Sequence, residues 1–207
     1  RESYLRGQFH GHDCRRAGMI RAAIVSLLVA ATPLAAQEPA TPDGNPEMAE
    51  IFAADQADRE GDIDWTEVSR RDGSRRQRTR ELPDAGALVA AEDYYGAAFV
   101  FQHGGEPEDY LLAHALAVRA AALGHPKAEW IAAATLDRYL QSIARDQIYG
   151  TQYSMSPTAP ASQGRYDREL LPDALRTASG VEPLSEQAVK LETMEQLRLE
   201  RWPQAAE

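Results

Sequence analysis

The sequence has little cysteine, few aromatic residues and no apolar run long enough to cross a membrane. Its one cysteine is Cys14, and aromatic side chains make up 7% of the 207 residues. The chain beyond Cys14 therefore has no disulfide, no cysteine metal ligand and no nucleophilic thiol. Much of the apolar content is alanine, so the composition favours helices over strands.

Positive charge is also scarce. The chain has 22 Lys and Arg against 32 Asp and Glu, which gives a formal net charge of −10. An acidic protein is repelled by nucleic acid phosphates and by anionic lipid surfaces. We therefore expect no nucleic acid partner.

Residues 1–36 predict a leader rather than part of the fold. Met19 opens the stretch MIRAAIVSLLVAATPLAAQ, in which Arg21 precedes an apolar run over 22–31 and small residues end at Ala36. This pattern is typical of a secretory signal peptide, and its apolar run is too short for a membrane span. We expect a periplasmic or secreted protein with no membrane span after signal removal. The alternative is a buried helix or a membrane anchor.

The rest of the chain predicts a linker followed by one helical domain. Residues 37–46 are Pro-rich and lack periodicity, and residues 47–201 carry helical patterns. Three central segments, 86–103, 106–125 and 126–144, are separated by short joints. Because short joints place consecutive helices side by side, they predict antiparallel hairpins.

Glycine and proline define the predicted helix ends. Gly104-Gly105 and Gly124 follow apolar runs, where glycine commonly takes the left-handed conformation that ends a helix. Pro107 suits a first helical turn, and the acidic pair Glu108-Asp109 complements the positive end of the helix dipole.

The middle segment is apolar on nearly every side, which predicts burial against several neighbours. One stripe along it consists of Leu111, Ala115, Val118 and Ala122. The packing pattern resembles tetratricopeptide-type repeats over Ala87–Ser142, although fewer than three units are present. We therefore predict an all-α fold of stacked antiparallel helical hairpins, followed by a long irregular segment and C-terminal helices.

Six arginines crowd the stretch between Arg70 and Arg80. Such a run usually forms a solvated helix face that pairs with neighbouring carboxylates. The alternative is a site for an acidic partner or a phosphate.

Two polar residues are candidates for a catalytic site. His103 follows Gln102 at a helix end, and Asp137 lies at the margin of a predicted core face. A histidine base oriented by a carboxylate would suit a hydrolase. Asp137 could instead buttress a loop or line a cleft. In the separate irregular stretch Tyr149–Tyr153 we expect Gly150 to adopt a positive φ.

Residues 56–67 align with a calcium-binding loop, with Gly61 and Glu67 at matching positions. Gln56 at the first position lacks the anchoring carboxylate, and the alternative is a helix that ends in an acidic turn. No zinc spacing, phosphate loop or dinucleotide motif occurs, so we expect no metal and no cofactor.

The motifs DQADR, FQHG, DRYL and QIYGTQ occur in this order between Ile51 and Tyr153. Together they resemble an uncharacterised bacterial family, a domain of unknown function. The resemblance implies no activity, but it implies that eight binding-site candidates form one constellation: Asp55, Gln56, Arg59, Gln102, His103, Asp137, Arg138 and Gln152.

These observations lead to one main hypothesis and two alternatives. The main hypothesis is an exported, soluble, α-helical binding or scaffold module with an unknown protein or small-molecule partner. Its groove would be lined by the helix end at His103 and by the loop Tyr149–Tyr153. The alternatives are a hydrolase that uses His103 with Asp137, and a calcium-binding loop at 56–67.

Overall fold

The computed structural model describes residues 43–203, so the predicted leader and residues 37–42 of the predicted linker lie outside the described residues. Seven helices and one small hairpin follow each other within this range. They are α1 Pro46–Ala57, α2 Trp65–Asp84, α3 Ala91–Gln102, α4 Pro107–Ala122, α5 Ala128–Ser142, β1 Ser154–Ser156, β2 Ala159–Ser162, α6 Asp173–Ala178 and α7 Leu184–Arg201. The predicted all-α fold class is confirmed.

Helices α3, α4 and α5 form the predicted antiparallel stack, with α4 packed against both neighbours. Small side chains allow this close approach. The buried positions of the stack include Ala97, Ala98, Phe101, Ala113, Leu116, Ala117, Ala120, Ala128 and Ile131. Among residues 43–203 no helix combines the length and the apolar character needed to cross a membrane.

The observed helix ends agree in part with those predicted from the sequence. Pro107 lies in the first turn of α4 with Glu108 and Asp109, and Gly124 ends α4 with φ +88°, both as predicted. The left-handed cap predicted at Gly104-Gly105 is wrong, because neither glycine has a positive φ. A Cβ atom on Gly104 would instead overlap the side chain of Asp109, so Gly104 permits a close approach of α4.

Helix α2 is attached to the stack mainly by charge. Its buried apolar side chains are Val68 and Leu82, and it begins with Asp64 accepting N–H bonds from Thr66 and Glu67. All six arginines form ion pairs, as the paired-face interpretation predicted: Arg70, Arg71, Arg75, Arg76, Arg78 and Arg80.

The segment between α5 and α6 holds the antiparallel hairpin β1–β2, which the sequence did not predict. Helix α7 packs on this hairpin, and the Glu195 carboxylate accepts the backbone N–H of Ala161. Hydrogen bonds from Arg198 lower the pKa of Glu195 to about 2. Polar contacts therefore hold much of this C-terminal part in place.

The adjacent glycines at the α3–α4 joint provide a matched stability test. Gly104→Ala should lower the free energy of unfolding by about 2 kcal/mol, because the added methyl group overpacks the joint. Gly105→Ala should change it by less than about 1 kcal/mol, because a Cβ atom there has no neighbour within 4 Å. Urea unfolding monitored by circular dichroism measures both. Equal effects of the two substitutions would contradict the close-approach explanation.

Candidate functional site

The eight predicted site residues form two clusters rather than one. The Asp55 cluster consists of Asp55, Gln56, Arg59, Asp72 and His103. The Asp137 cluster consists of Asp137, Arg138, Thr151, Gln152 and the backbone of residues 148–151. The end of α3 connects the two clusters, because His103 belongs to the first and the carbonyl of Gln102 is bonded to the second.

Asp55 is the centre of the first cluster and is fully buried. Gln56 Nε2 donates to its Oδ2 at 2.8 Å, while Arg59 Nη1 and His103 Nδ1 both lie 3.1 Å from its Oδ1. A buried carboxylate needs such partners, because an unpaired charge is costly away from water. Since an ionised carboxylate only accepts hydrogen bonds, His103 Nδ1 carries a proton and donates it to Oδ1 of Asp55 in this contact.

Arg59 extends the Asp55 cluster to α2. Its Nη2 lies 2.6 Å from Oδ2 of Asp72, and Asp72 is also paired with Arg75. Arg75 in turn pairs with Asp58 just beyond α1. The cluster is therefore part of a network of alternating charges that joins α1, α2 and the end of α3.

Three donors bind the last carbonyls at the end of α3. Arg138 Nη1 donates to Gln102 O at 2.7 Å, and Arg76 Nη1 donates to His103 O at 3.0 Å. The Tyr110 hydroxyl donates to Gly104 O at 2.7 Å. These groups satisfy carbonyls that a helix end leaves without partners, and the two arginines also neutralise the negative end of the dipole.

Asp137 is fully buried and supports the irregular loop. Its Oδ1 accepts the N–H groups of Ile148 and Tyr149 at 2.7 and 3.0 Å. Its Oδ2 accepts the N–H and the hydroxyl of Thr151 at 3.0 and 2.8 Å. Gly150 has the expected positive φ of +82° in this turn. The loop thus wraps around the carboxylate.

The pairing of His103 with Asp137 is corrected by these contacts. The carboxylate that faces His103 is Asp55, whereas both oxygens of Asp137 bond the loop. Arg138 and Gln152 complete the second cluster, with Arg138 Nε donating to Gln152 Oε1 at 3.1 Å. Burial lowers the pKa of Arg138 from its ordinary value.

The calcium-loop alternative at 56–67 is not supported. Gln56 lies in α1, Asp64 begins α2, and the carboxylates of Asp58 and Glu67 are paired with arginines. Within residues 43–203, no group of three or more His, Cys, Asp and Glu side chains is placed to hold a metal ion.

The sequence analysis did not predict a concave surface that lies beside α3, nearer to its N-terminal end. Two cavities adjoin at Tyr95, with volumes of about 630 Å³ and about 400 Å³. We call this surface the aromatic groove and define it by five rings: Phe52, Tyr95, Phe99, His125 and Trp130. The spacing of Tyr95 and Phe99 places them on one helix face, but the other rings come from α1, from the α4–α5 joint and from α5.

Four of the five rings of the aromatic groove contact each other: Phe52, Tyr95, Phe99 and His125. His125 stacks on Tyr95 with centroids 3.8 Å apart and planes 18° apart. Phe52 meets Tyr95 edge to face at 5.8 Å, and Phe99 lies 4.9 Å from Tyr95. Tyr95 is therefore the central ring of the groove, and burial raises its pKa.

The larger cavity has an acidic edge. Glu92 and Asp43 line it, both are exposed, and neither forms an ion pair with another of the described residues. Asp93 also lines it, but its carboxylate accepts the N–H groups of Asn45, Val89 and Ala90. Burial lowers the pKa of His125, with a smaller opposing effect from Glu92, so the ring adds no charge at neutral pH.

Comparison with protein-family models, with curated proteins and with solved structures finds no match to this chain. The resemblance drawn from the four short motifs therefore stays a prediction.

The support of the loop by Asp137 predicts a large stability effect. Asp137→Asn should lower the free energy of unfolding by about 3 kcal/mol, because an amide group would face N–H donors in a buried site. Glu192→Gln, on an exposed face of α7, should change it by less than about 0.5 kcal/mol. Urea unfolding measures both. A cost for Asp137→Asn no larger than that of the control would contradict the supporting role.

Proposed function

We propose that this chain is an exported α-helical binding module and that its binding site is the aromatic groove. The ligand is one that carries a cationic group on an apolar stem. The observation that supports this proposal most strongly is an open cavity of about 630 Å³ that combines aromatic walls with two exposed carboxylates, neither of which forms an ion pair within residues 43–203. Export to the periplasm or beyond is proposed from the leader pattern alone.

The chemistry of the groove favours a cation. Aromatic ring faces attract ammonium and guanidinium groups, and this attraction strengthens when the cation loses its water. Glu92 and Asp43 add negative charge at the edge of the same cavity. The adjoining cavity at Phe99 and Trp130 would accept the apolar part of the ligand.

The location of the site differs from the groove expected at His103. Both oxygens of Asp55 and both oxygens of Asp137 are bonded within the described residues, so these two clusters have the character of structural networks. His103 Nε2 has no hydrogen-bond partner among residues 43–203, so no nucleophilic side chain is bonded to it there. His103 Nδ1 contacts a buried carboxylate that Gln56 and Arg59 also bind, and this favours a structural role for His103 over the hydrolase alternative.

Titration calorimetry with defined probes tests the proposal. The probes are an apolar dipeptide that ends in an arginine amide, a hydrophobic quaternary amine, and the uncharged isostere of each. We expect both cations to bind more tightly than their isosteres. Tight binding of the dipeptide alone identifies a peptide ligand, and tight binding of the amine alone identifies a small organic cation. Absence of binding by either cation, or equal binding of a neutral isostere, would overturn the proposal.

Glu92→Gln provides the matched variant, because Glu92 is exposed and its replacement leaves the packing intact. Affinity for the cationic probe should fall about fivefold to tenfold, which corresponds to the loss of roughly 1 kcal/mol of charge attraction. Glu192→Gln removes the same charge far from the groove along the chain and should leave the affinity within about twofold. An equal loss in both variants would show a general effect of net charge and would contradict a local site.

A further inference from the structure

His125 is the one ring of the aromatic groove that changes its charge near neutral pH. It lines the larger cavity from the joint between α4 and α5, is half-buried, and stacks on Tyr95 with ring centroids 3.8 Å apart. An ordinary histidine gains its charge at mildly acidic pH, whereas ordinary carboxylates lose theirs only near pH 4. The charge of this wall can therefore change while the acidic edge stays largely ionised.

The backbone around His125 is held in place on both sides. Its N–H donates to the carbonyl of Ala120 at 3.0 Å, and its carbonyl accepts the N–H of Ala128 at 3.2 Å. Gly124 precedes it with a φ of +88°, and Pro126 follows it with a ring that fixes φ. Because the main chain is fixed, any response to a change in charge falls on the side chain.

The hydrogen bond of the imidazole suits its neutral form. Nδ1 of His125 accepts the backbone N–H of Lys127 at 3.2 Å, so the proton of the neutral ring is on Nε2. In the protonated ring both nitrogens are donors, and Nδ1–H would face another N–H. The charged ring must give up this bond and rotate, which moves it off Tyr95. The stacked position therefore favours the neutral ring.

The electrostatic surroundings of the ring also favour the neutral form at pH 7. Burial is the largest effect and lowers the pKa of His125, Lys127 lowers it further, and Glu92 opposes both. Helix α1 faces the larger cavity with apolar side chains, and Arg119 of α4 lies over the Tyr94 ring instead. The other titratable residues that line the two cavities are Asp43, Glu92, Asp93, Tyr95, Lys127 and Glu129.

We infer that His125 makes the aromatic groove a pH-sensitive site, which holds its cationic ligand at neutral pH and releases it at mildly acidic pH. This inference rests on the proposed binding function. A protonated ring puts positive charge into the cavity and gives Glu92 a counter-ion within the protein. Rotation of the ring off Tyr95 also removes one wall of the groove. By linkage, a bound cation must oppose the protonation of His125 to the same extent.

Titration calorimetry at pH 7.5 and pH 5.0 tests the inference, with the hydrophobic quaternary amine as the probe because its charge does not depend on pH. The affinity of the wild type should fall about threefold or more as the pH drops through the pKa of His125. His125→Asn keeps an acceptor for the N–H of Lys127, and His125→Phe keeps a ring beside Tyr95. Neither can take up a proton, so each should bind within about twofold at the two pH values.

His103→Asn is the matched control, because His103 lines neither cavity, and it should keep the loss of affinity seen in the wild type. A proton NMR titration of the wild type gives a second measurement, in which saturating amine should move the titration midpoint of His125 to lower pH. Equal wild-type affinity at both pH values, a loss that persists in either His125 variant, or an unmoved midpoint would overturn this inference alone. Absence of binding at pH 7.5 would overturn the proposed function with it.

Discussion

The end of α3 is the point on which the rest of the structure depends. A helix that ends inside a protein leaves carbonyl groups that require donors, and burial makes missing donors expensive. Here Arg138 reaches Gln102 from α5, Arg76 reaches His103 from α2, and the His103 ring reaches Asp55 on α1. One helix end thus ties together three other helices.

This arrangement explains how so small an apolar core holds the described fold. The stack of α3, α4 and α5 packs through alanines, whereas α2 contributes few apolar side chains. Ion pairs compensate for the few apolar side chains only if each buried charge keeps its partner. Loss of one partner leaves the other charge buried and unpaired, at the full cost of its desolvation. Polar residues are therefore expected to be sensitive to substitution without taking part in any reaction.

Sequence patterns predicted the parts of the fold that depend on local chemistry. Helical segments, the first turn at Pro107, the cap at Gly124 and the positive φ of Gly150 follow from rules that act over a few residues. The role of Gly104 was not predicted, because it depends on how tightly the joint turns into α4 and brings Asp109 against it. The predicted partner of His103, Asp137, was wrong, because sequence spacing does not show which carboxylate the folded helices place beside the ring; the structure places Asp55 there. The aromatic groove was missed because its rings come from three separate parts of the chain.

The polar clusters and the proposed binding groove lie towards opposite ends of α3. Its C-terminal end is fixed by the Asp55 and Asp137 clusters, and Tyr95 near its N-terminal end is the centre of the aromatic groove. A fixed end helps to hold the groove in one shape, since ligand sites work best on rigid elements. The polar motifs thus stabilise the helix end, while the groove is the site of the proposed binding.

His103 stabilises the fold through the contact of its Nδ1 with Asp55. A pair of substitutions at His103 tests this stabilisation directly. Asparagine can place its amide N–H where Nδ1 lies, whereas leucine fills similar space without a donor. His103→Leu should lower the free energy of unfolding by about 2 kcal/mol, and His103→Asn should lose less than about half of that. Urea unfolding that finds both variants within about 0.5 kcal/mol of the wild type would contradict the claim.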